Sequence, residues 1–262
     1  MNLKHIAGMM ALVGLSGVAQ AGSFVNGGFE SGDTSGWSTG GGYRGGSPNA
    51  SITPGDFLVG GALHSDDGGR GAIIDNNYVD PNVGALIGTT VLYGDYSYRA
   101  EDTTYGGFGT VISQQVKNYT ETDIYFAWKA VLENGGHAED ESAAMILTLT
   151  DNTTGQLVLS RTYNAGDGGG GVDSRFFSEG EYFYTPQWQL ERLSIDQSLS
   201  GHDFTLALLA ADCQPTGHTG YAYIDGFGSV AMPVPEAETY AMLLAGLGMM
   251  GWVARRKQAA KA

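Results

Sequence analysis

The sequence predicts an all-β fold: an antiparallel jelly-roll β-sandwich with an N-terminal signal peptide and one C-terminal transmembrane helix. Apolar residues alternate at a period of two between Val91 and Val230, which is the pattern of half-buried strands. Turns rich in glycine, asparagine and aspartate separate these runs, and no segment before the C-terminal tail keeps a helical period. Hydrophobic residues make up 42% of the 262-residue chain, so it can bury a core.

The first 21 residues have the organisation of a secretory signal peptide. A charged start is followed by an apolar stretch, Ile6 to Val18, and by a small-x-small cleavage site that ends at Ala21. The alternative is an uncleaved membrane anchor, but the apolar run is short for a spanning helix. We therefore expect cleavage after Ala21 and export of the chain.

The clearest predicted strand is 124–131, in which Phe126 and Trp128 share one face and the residues between them share the other. A turn-rich loop, 151–155, lies between two further alternating runs and predicts a hairpin over 143–163. Additional strands are predicted at 57–63, 90–100, 108–117, 187–196, 203–210 and 220–230.

Two glycine-rich stretches interrupt the strand pattern. Gly40 to Gly46 and Gly166 to Gly171 are predicted to be mobile loops. A phosphate-binding loop in the second stretch would need a following helix and a lysine, and the sequence has neither there.

The net charge limits the classes of partner that the protein can bind. Thirteen basic and 28 acidic residues give a net charge of −15, and so acidic a chain is repelled by the phosphates of nucleic acids. Residues 22–233 keep eight basic and 26 acidic residues, so the exported part carries −18 and can attract divalent cations. A single cysteine, Cys213, excludes an internal disulfide and a multi-cysteine metal cluster. We expect no nucleic-acid partner.

The C-terminal tail contains a second apolar run. Residues 237–254 are long enough for one membrane-spanning helix, and the basic cluster that follows is predicted to stay in the cytoplasm. The alternative is a soluble core helix, which the glycines of this run disfavour, whereas membrane helices tolerate glycine better. We therefore expect the helix to hold the protein at the inner membrane.

The tail begins with Val234-Pro235-Glu236, continues with the apolar run and ends with the basic cluster Arg255-Arg256-Lys257. This three-part order resembles the PEP-CTERM sorting signal. The resemblance implies recognition and processing by an exosortase in a Gram-negative bacterium that makes exopolysaccharide. The sequence departs from the family at Ala237, where a second proline is usual. With the signal peptide and the strand pattern, this tail predicts three parts of the chain: a signal peptide (1–21), a β-sandwich domain (22–232) and a sorting tail (233–262). The residues that carry the resemblance are Val234, Pro235, Glu236, Arg255, Arg256 and Lys257.

A second resemblance concerns the two ends of the domain. Residues 24–33 and the pair Gly36-Trp37 are similar to the opening of galactose-binding-like carbohydrate-binding modules, and residues 221–227 are similar to their last strand. This resemblance implies a jelly-roll sandwich but no particular ligand, because many such domains bind no sugar. It also implies a structural calcium ion shared by Glu30 and Asp225. The alternative is a surface glutamate and a turn aspartate without metal.

Catalytic motifs are not evident. The sequence has neither a Gly-x-Ser-x-Gly elbow nor a His-Glu-x-x-His helix, and the acidic run 139–141 is predicted to be a solvated loop. A glycosidase needs two facing carboxylates, which sequence alone does not locate among so many acids. A zinc site could be formed by Cys213, His218 and a remote histidine, His137 or His202. The alternative interpretation is that these histidines lie at strand ends and that the cysteine is buried without a metal.

Together these features predict an exported, non-catalytic protein of the cell surface or extracellular matrix, sorted by an exosortase and associated with exopolysaccharide in a biofilm. The alternatives are a carbohydrate-binding adhesin with a defined sugar site and a polysaccharide-processing enzyme. Aromatic side chains are the usual platforms for sugar rings, but most of those in this chain also suit a core or a sheet face, so none is assigned to a ligand. The aromatic residues outside the most apolar strands are Trp37, Tyr43, Tyr78, Tyr93, Tyr96, Tyr98 and Tyr105.

Overall fold

The computed structural model describes residues 22–229, which form two antiparallel β-sheets packed face to face. Within that range the regular structure is strands and short 3-10 helices, without an α-helix. The strands are β1 (Ser38–Tyr43), β2 (Ala72–Asp75), β3 (Tyr96–Ala100), β4 (Phe108–Tyr119), β5 (Asp123–Glu133), β6 (Ala144–Asp151), β7 (Gln156–Asn164), β8 (Phe177–Glu179), β9 (Tyr182–Tyr184), β10 (Gln189–Ser194), β11 (His202–Ala211) and β12 (Gly220–Ser229). The 3-10 helices are Asn49–Ser51, Pro54–Phe57, Gly84–Ile87, Asp167–Gly169 and Gln197–Leu199.

The chain passes repeatedly between the two sheets. The first sheet has the order β1-β4-β11-β6-β7, and the second has the order β2-β3-β12-β5-β9-β8, with β10 also paired to β5. Successive strands therefore lie in opposite sheets at most connections, as in a jelly roll. The all-β, antiparallel sandwich prediction is confirmed.

The predicted signal peptide (1–21) and transmembrane helix (237–254) lie outside the described residues, and the domain boundaries stay predictions. Within residues 22–229, no helix has the length and apolar character needed to cross a membrane.

The central core lies between the sheets, and β5 shows why. Ile124, Phe126 and Trp128 all point into it, as the period-two alternation predicts. Trp128 is fully buried and stacks on Tyr163 with ring centroids 5.0 Å apart. Its indole Nε1 donates to Glu191 Oε1 at 2.8 Å, so the one polar atom of this ring is also satisfied.

The outer face of the second sheet is covered. Tyr221 and Tyr223 of β12 pack there with Ile87, and both tyrosine hydroxyls donate to the buried carboxylate of Asp80. Lys129 of β5 lies on the same face, where its ammonium donates to the carbonyl oxygens of residues 87 and 186. Because burial disfavours the charged ammonium, the pKa of Lys129 is lowered to about 8.

The outer face of the first sheet is covered only in part, by the segment 49–63. Phe57 is fully buried there against Val111 and Leu209. The predicted strand 57–63 is therefore wrong: this segment contains a 3-10 turn, Pro54–Phe57, and then a loop. Proline at the first helical position and a capping box between Thr53 and Asp56 favour the turn.

The first glycine-rich stretch also differs from the prediction. Its first three glycines, 40–42, lie in a strand and not in a loop, because β1 pairs with β4 along its whole length, from Ser38 opposite Ser113 to Tyr43 opposite Phe108. The chain around Leu63 crosses this strand so closely that a Cβ atom at Gly42 would overlap the Leu63 carbonyl oxygen. Packing therefore requires glycine here, which composition alone does not distinguish from a loop.

Most other strand predictions agree with the structure. The hairpin 143–163 is formed by β6 and β7, and the predicted strands at 108–117, 187–196, 203–210 and 220–230 correspond to β4, β10, β11 and β12. The prediction 90–100 is too long, since β3 begins at Tyr96. Gly166 to Gly171 lies in a loop that contains the turn Asp167–Gly169. Alternation does not predict the short strands β2, β8 and β9, because three or four residues are too few to show it.

We expect Gly42→Ala to lower the free energy of unfolding by about 1–3 kcal/mol, because the added methyl group meets backbone atoms that cannot rotate away. The matched control is Gly55→Ala, where the nearest atom to a Cβ is Thr53 Oγ1 at 3.7 Å, an ordinary contact. Urea denaturation of both variants measures the difference. Equal stability of the two variants would show that the chain does not cross β1 so closely.

Candidate functional site

The predicted calcium ligands lie next to each other in the structure. Glu30 follows the buried ring of Phe29 in the first turn, and Asp225 lies in β12, where it is fully buried. A Cβ atom at Gly28 would lie 3.7 Å from Asp225 Oδ1 and 3.8 Å from Glu30 Cγ. The two acidic side chains therefore flank the same glycine, and the absent side chain leaves the space between them open.

Backbone N–H groups before and at the start of β3 orient both carboxylates. Asp225 also accepts a hydrogen bond at 2.7 Å from the N–H of Gly226. Such bonds stabilise the ionised form of a carboxylate and hold it in one orientation. The donors to Asp225 Oδ2 are Leu92 and Tyr93, both at 2.9 Å, and the donors to Glu30 are Asp95 at 3.0 Å and Tyr96 at 3.1 Å.

The electrostatics of this pair suit a cation. Burial, and to a smaller extent the neighbouring charge of Glu30, raises the pKa of Asp225 to about 7 against the effect of the N–H donors. In the described part of the chain neither carboxylate has a basic side chain within ion-pair distance.

The donor set also fits calcium in ligand type. Each carboxylate accepts three N–H contacts, which leaves about one of its four acceptor positions free, at Asp225 Oδ1 and at Glu30 Oε2. Calcium takes carboxylate and carbonyl oxygens. Both residues would hold the ion, and the ion would supply the missing positive charge.

A groove of about 540 Å³ crosses the outer face of the first sheet, beside the covering segment 49–63. The strand register builds it, because Ser113 of β4, Ala207 of β11, Thr148 of β6 and Ser160 of β7 are aligned in one row across four strands. Successive residues of a strand point to opposite faces, so β6 and β11 each contribute every second residue.

The chemistry of this groove is neutral. None of its lining residues is charged, although the exported part of the chain carries −18. Hydroxyl groups both donate and accept hydrogen bonds, and apolar side chains form part of the walls. The hydroxyl-bearing residues on the strands are Ser113, Thr148, Thr150, Ser160, Thr162 and Thr205, and the apolar residues include Leu58, Ile146 and Leu157.

The aromatic residues considered for sugar stacking do not line the groove. Trp37 and Tyr98 are buried in the core, where both rings pack against Phe29. Tyr43 and Tyr105 are the most accessible of the set, at 50% and 71% exposure. The groove therefore offers hydrogen bonds and aliphatic contacts instead of an aromatic platform.

Two buried acids have strongly raised pKa values. Burial and the charge of Asp212 raise the pKa of Glu101 to about 8, and burial raises the pKa of Asp212 to about 7. Glu101 accepts from the hydroxyl of Thr110 at 2.7 Å, and Asp212 accepts from the N–H of Phe108 at 3.1 Å. Both side chains are fully buried, whereas a glycosidase pair must face its substrate. The acidic run 139–141 is an exposed loop between β5 and β6, as predicted.

The three histidines considered as zinc ligands separate into two groups. His202 shares a hydrogen bond with Asp151 Oδ2 at 2.8 Å at the start of β11, which is an ordinary strand-end contact. His137, Cys213 and His218 instead converge, with their possible ligand atoms all within 4.8 Å of one another. The structure thus brings together the cysteine, one of its sequence neighbours and one remote histidine.

Residues 233–257 match the PEP-CTERM protein-sorting motif. This is the signal predicted for the tail. The PEP-CTERM motif implies an exported protein that an exosortase processes. The matched residues themselves lie outside the described part of the structure.

The structure is similar to several solved carbohydrate-binding modules. One is TmCBM61 in complex with β-1,4-galactotriose, with 13% identity over 80% of this chain and 97% of that chain and a TM-score of 0.39. Another is a module specific for non-crystalline cellulose, with 10% identity over 78% and 93% and a TM-score of 0.37. An adhesin domain of Lys-gingipain has 12% identity over 61% and 81% and a TM-score of 0.31. No curated protein matches the chain.

Sequence reasoning did not identify the groove. A signal was present, because Thr148 and Thr150 alternate with leucines in β6 and Ser160 and Thr162 occupy alternate positions in β7. That pattern shows that one face of this hairpin is hydroxyl-rich. It does not show that the face stays partly uncovered, which depends on where the segment 49–63 lies.

We propose that Glu30 and Asp225 bind calcium, and we expect chelation to lower the melting temperature of the protein by several degrees. An ion that binds only the folded form adds about 2.7 kcal/mol at a hundredfold excess over Kd. Glu30→Gln removes one formal charge and should weaken the response without affecting the core, since Glu30 is exposed. Differential scanning calorimetry with chelator, calcium and magnesium measures the effect.

Magnesium is the control for loose binding to the −18 surface. Identical melting curves with chelator and with calcium, in metal-free protein, would mean that the N–H donors alone hold the two carboxylates.

Proposed function

We propose that this protein is an exported, non-catalytic component of the cell surface or extracellular matrix, and that it binds a neutral polysaccharide in the groove on its first sheet. The observation that carries the proposal is the uncharged, hydroxyl-lined groove on a chain that is otherwise strongly acidic. A neutral glycan is bound by hydroxyl and amide hydrogen bonds and by aliphatic contacts, and it requires no opposite charge.

The shape of the groove supports a chain-like ligand. It runs across β4, β11, β6 and β7 and is open to solvent, so a polymer can enter and leave along the sheet. Thr148 and Ser160 lie opposite each other in its middle, and Asn152 lies near its end, after β6. An anionic polymer is a poorer candidate, because the acidic surface around the groove repels it.

The absence of catalysis is part of the proposal. Its support is that the acids with strongly raised pKa values, Glu101, Asp212 and Asp225, are fully buried and do not line the groove. No carboxylate among the described residues lines the groove either, so it lacks the acid and base that glycoside hydrolysis needs.

We further propose that the helix predicted at 237–254 holds the protein at the inner membrane until an exosortase releases it, and that it then joins exopolysaccharide in a biofilm. The PEP-CTERM match supports the processing step. The two alternatives differ from the proposal in measurable ways. A defined sugar site would bind a short oligosaccharide as tightly as the polymer, and an enzyme would generate new reducing ends.

We expect affinity gel electrophoresis to show retardation of the protein by at least one neutral polysaccharide from a panel of galactan, glucan, mannan and xylan, and no retardation by alginate. Thr148→Arg places a long side chain in the groove and should weaken binding by more than about tenfold, because the side chain occupies space that the polysaccharide needs. The reducing-end content of the polysaccharide should not rise.

The matched control is Gln187→Arg, which adds the same charge at an exposed position outside the groove. Equal binding by the two arginine variants would place the glycan elsewhere, and an increase in reducing ends would identify an enzyme.

We expect deletion of residues 234–262 to move the protein from the cell envelope to the medium. The reason is that this segment contains the sorting motif and the only predicted span left after signal cleavage. Cell fractionation and immunoblotting measure the distribution. Retention of the truncated protein in the membrane fraction would contradict the proposed anchoring.

A further inference from the structure

Two loops at one end of the sandwich bring two histidines and the single cysteine together. His137 lies between β5 and β6, and Cys213 and His218 lie between β11 and β12. His137 Nε2 is 3.2 Å from His218 Nδ1, and Cys213 Sγ is 3.4 Å from the same nitrogen. We propose that these three side chains form a binding site for a zinc ion. This site is separate from the polysaccharide groove.

The spacing of the three atoms fits tetrahedral coordination. Zinc binds histidine nitrogen at about 2.0–2.1 Å and thiolate sulfur at about 2.3 Å, so tetrahedral angles separate two nitrogens by roughly 3.3 Å and nitrogen from sulfur by roughly 3.6 Å. The observed separations of 3.2 and 3.4 Å lie within a few tenths of an ångström of these values. The possible ligand atoms of the third pair, His137 and Cys213, lie within 4.8 Å of each other. Because the separation of His137 and Cys213 is at most 4.8 Å, closing it to the tetrahedral value requires a movement of no more than roughly 1.2 Å.

Hydrogen bonding alone does not account for both contacts of His218 Nδ1. A ring nitrogen carries either one proton or one lone pair, so it provides one position for a partner. If that position serves His137, the contact with Cys213 has no matching group, and the reverse also holds. An ion between the three atoms accepts a lone pair from each of them and satisfies both contacts.

The surroundings of the sulfur suit a metal-bound thiolate. Cys213 is fully buried, and its Sγ accepts backbone N–H bonds from Gly217 and His218, each at 3.2 Å. The N–H of Cys213 donates to the carbonyl of His218 at 2.9 Å, which closes the loop and holds the two ligands at a fixed separation. Donors directed at a sulfur complement negative charge on it.

A buried cation lies beside this loop. The Arg44 guanidinium is fully buried and donates to the carbonyl of Asp212, next to the cysteine, at 2.7 Å. Its other partners are also neutral oxygens, on Ser47, Ser142 and Asn49. Among the described residues no carboxylate is within ion-pair distance of it. These hydrogen bonds hold Asp212, and with it the start of the loop that carries Cys213, in place.

The ligand set indicates which metal and what role. Two imidazoles and one thiolate are the ligands of intermediate softness that zinc takes, and calcium and magnesium prefer oxygen. Three protein ligands leave the fourth position to water or to another ligand. Because the ligands come from two connections between the sheets, the ion would link these connections at one end of the sandwich.

The test is titration of the metal-free, reduced full-length protein with Co²⁺, which replaces zinc and reports its own coordination by absorption. We expect a cobalt–thiolate charge-transfer band and the visible bands of tetrahedral cobalt, saturating at one ion per chain, and loss of both on addition of Zn²⁺. Cobalt held by surface carboxylates gives no thiolate band, so the acidic surface does not mimic the result.

Cys213→Ser should abolish the charge-transfer band, and His137→Gln should weaken cobalt binding by more than about tenfold, since even an outer-shell partner is worth that much. His137 is half-buried in a loop, so its replacement leaves the fold intact and keeps the test valid if the cysteine variant fails to fold. The matched control is His202→Gln, which removes an imidazole outside the cluster and should leave the titration unchanged. A wild-type titration without the thiolate band, or an unaltered titration of His137→Gln, would overturn the proposal.

Discussion

The first turn of the domain packs against its last strand, and both the sandwich and the candidate calcium site rely on this contact. Phe29 and Trp37 come from the opening segment and Phe227 from β12, and their rings form a continuous cluster with centroids 5.5–6.1 Å apart. Burying an aromatic side chain of this size contributes about 1.5–3 kcal/mol. The backbone bond from the N–H of Phe227 to the carbonyl of Gly27, at 2.9 Å, fixes the two segments in register.

This closure also determines where the charges of the candidate calcium site lie. Phe29 is buried in the cluster, and Glu30 follows it directly, so the glutamate lies beside Asp225 of β12. Asp225 is two residues before Phe227 on the same strand and accepts bonds from the loop before β3. Two carboxylates are thus held together by an apolar contact and by backbone donors, against their mutual repulsion.

The uneven covering of the two sheets explains why one face is available for a ligand. On the second sheet, Tyr221 and Tyr223 are buried under the segment that carries Asp80, and both donate hydrogen bonds to its carboxylate. On the first sheet, the 3-10 turn that buries Phe57 covers Val111 and Leu209, and it stops short of the row through Thr148. A chain with many acids leaves this face without charge, so an ion-pairing ligand has nothing to bind there.

The fold class, most of the long strands and the sorting tail follow from the amino-acid sequence without any knowledge of the fold. Strong alternation around residues such as Phe126 and Trp128 is a local property, and a sorting signal is read as linear sequence. Three other features emerge only when the chain is folded: Gly42 belongs to a packed strand, a hydroxyl-rich face stays open, and His137 meets Cys213 and His218. Each of these depends on segments far apart in the chain approaching one another, and residue periodicity carries no information about such distances.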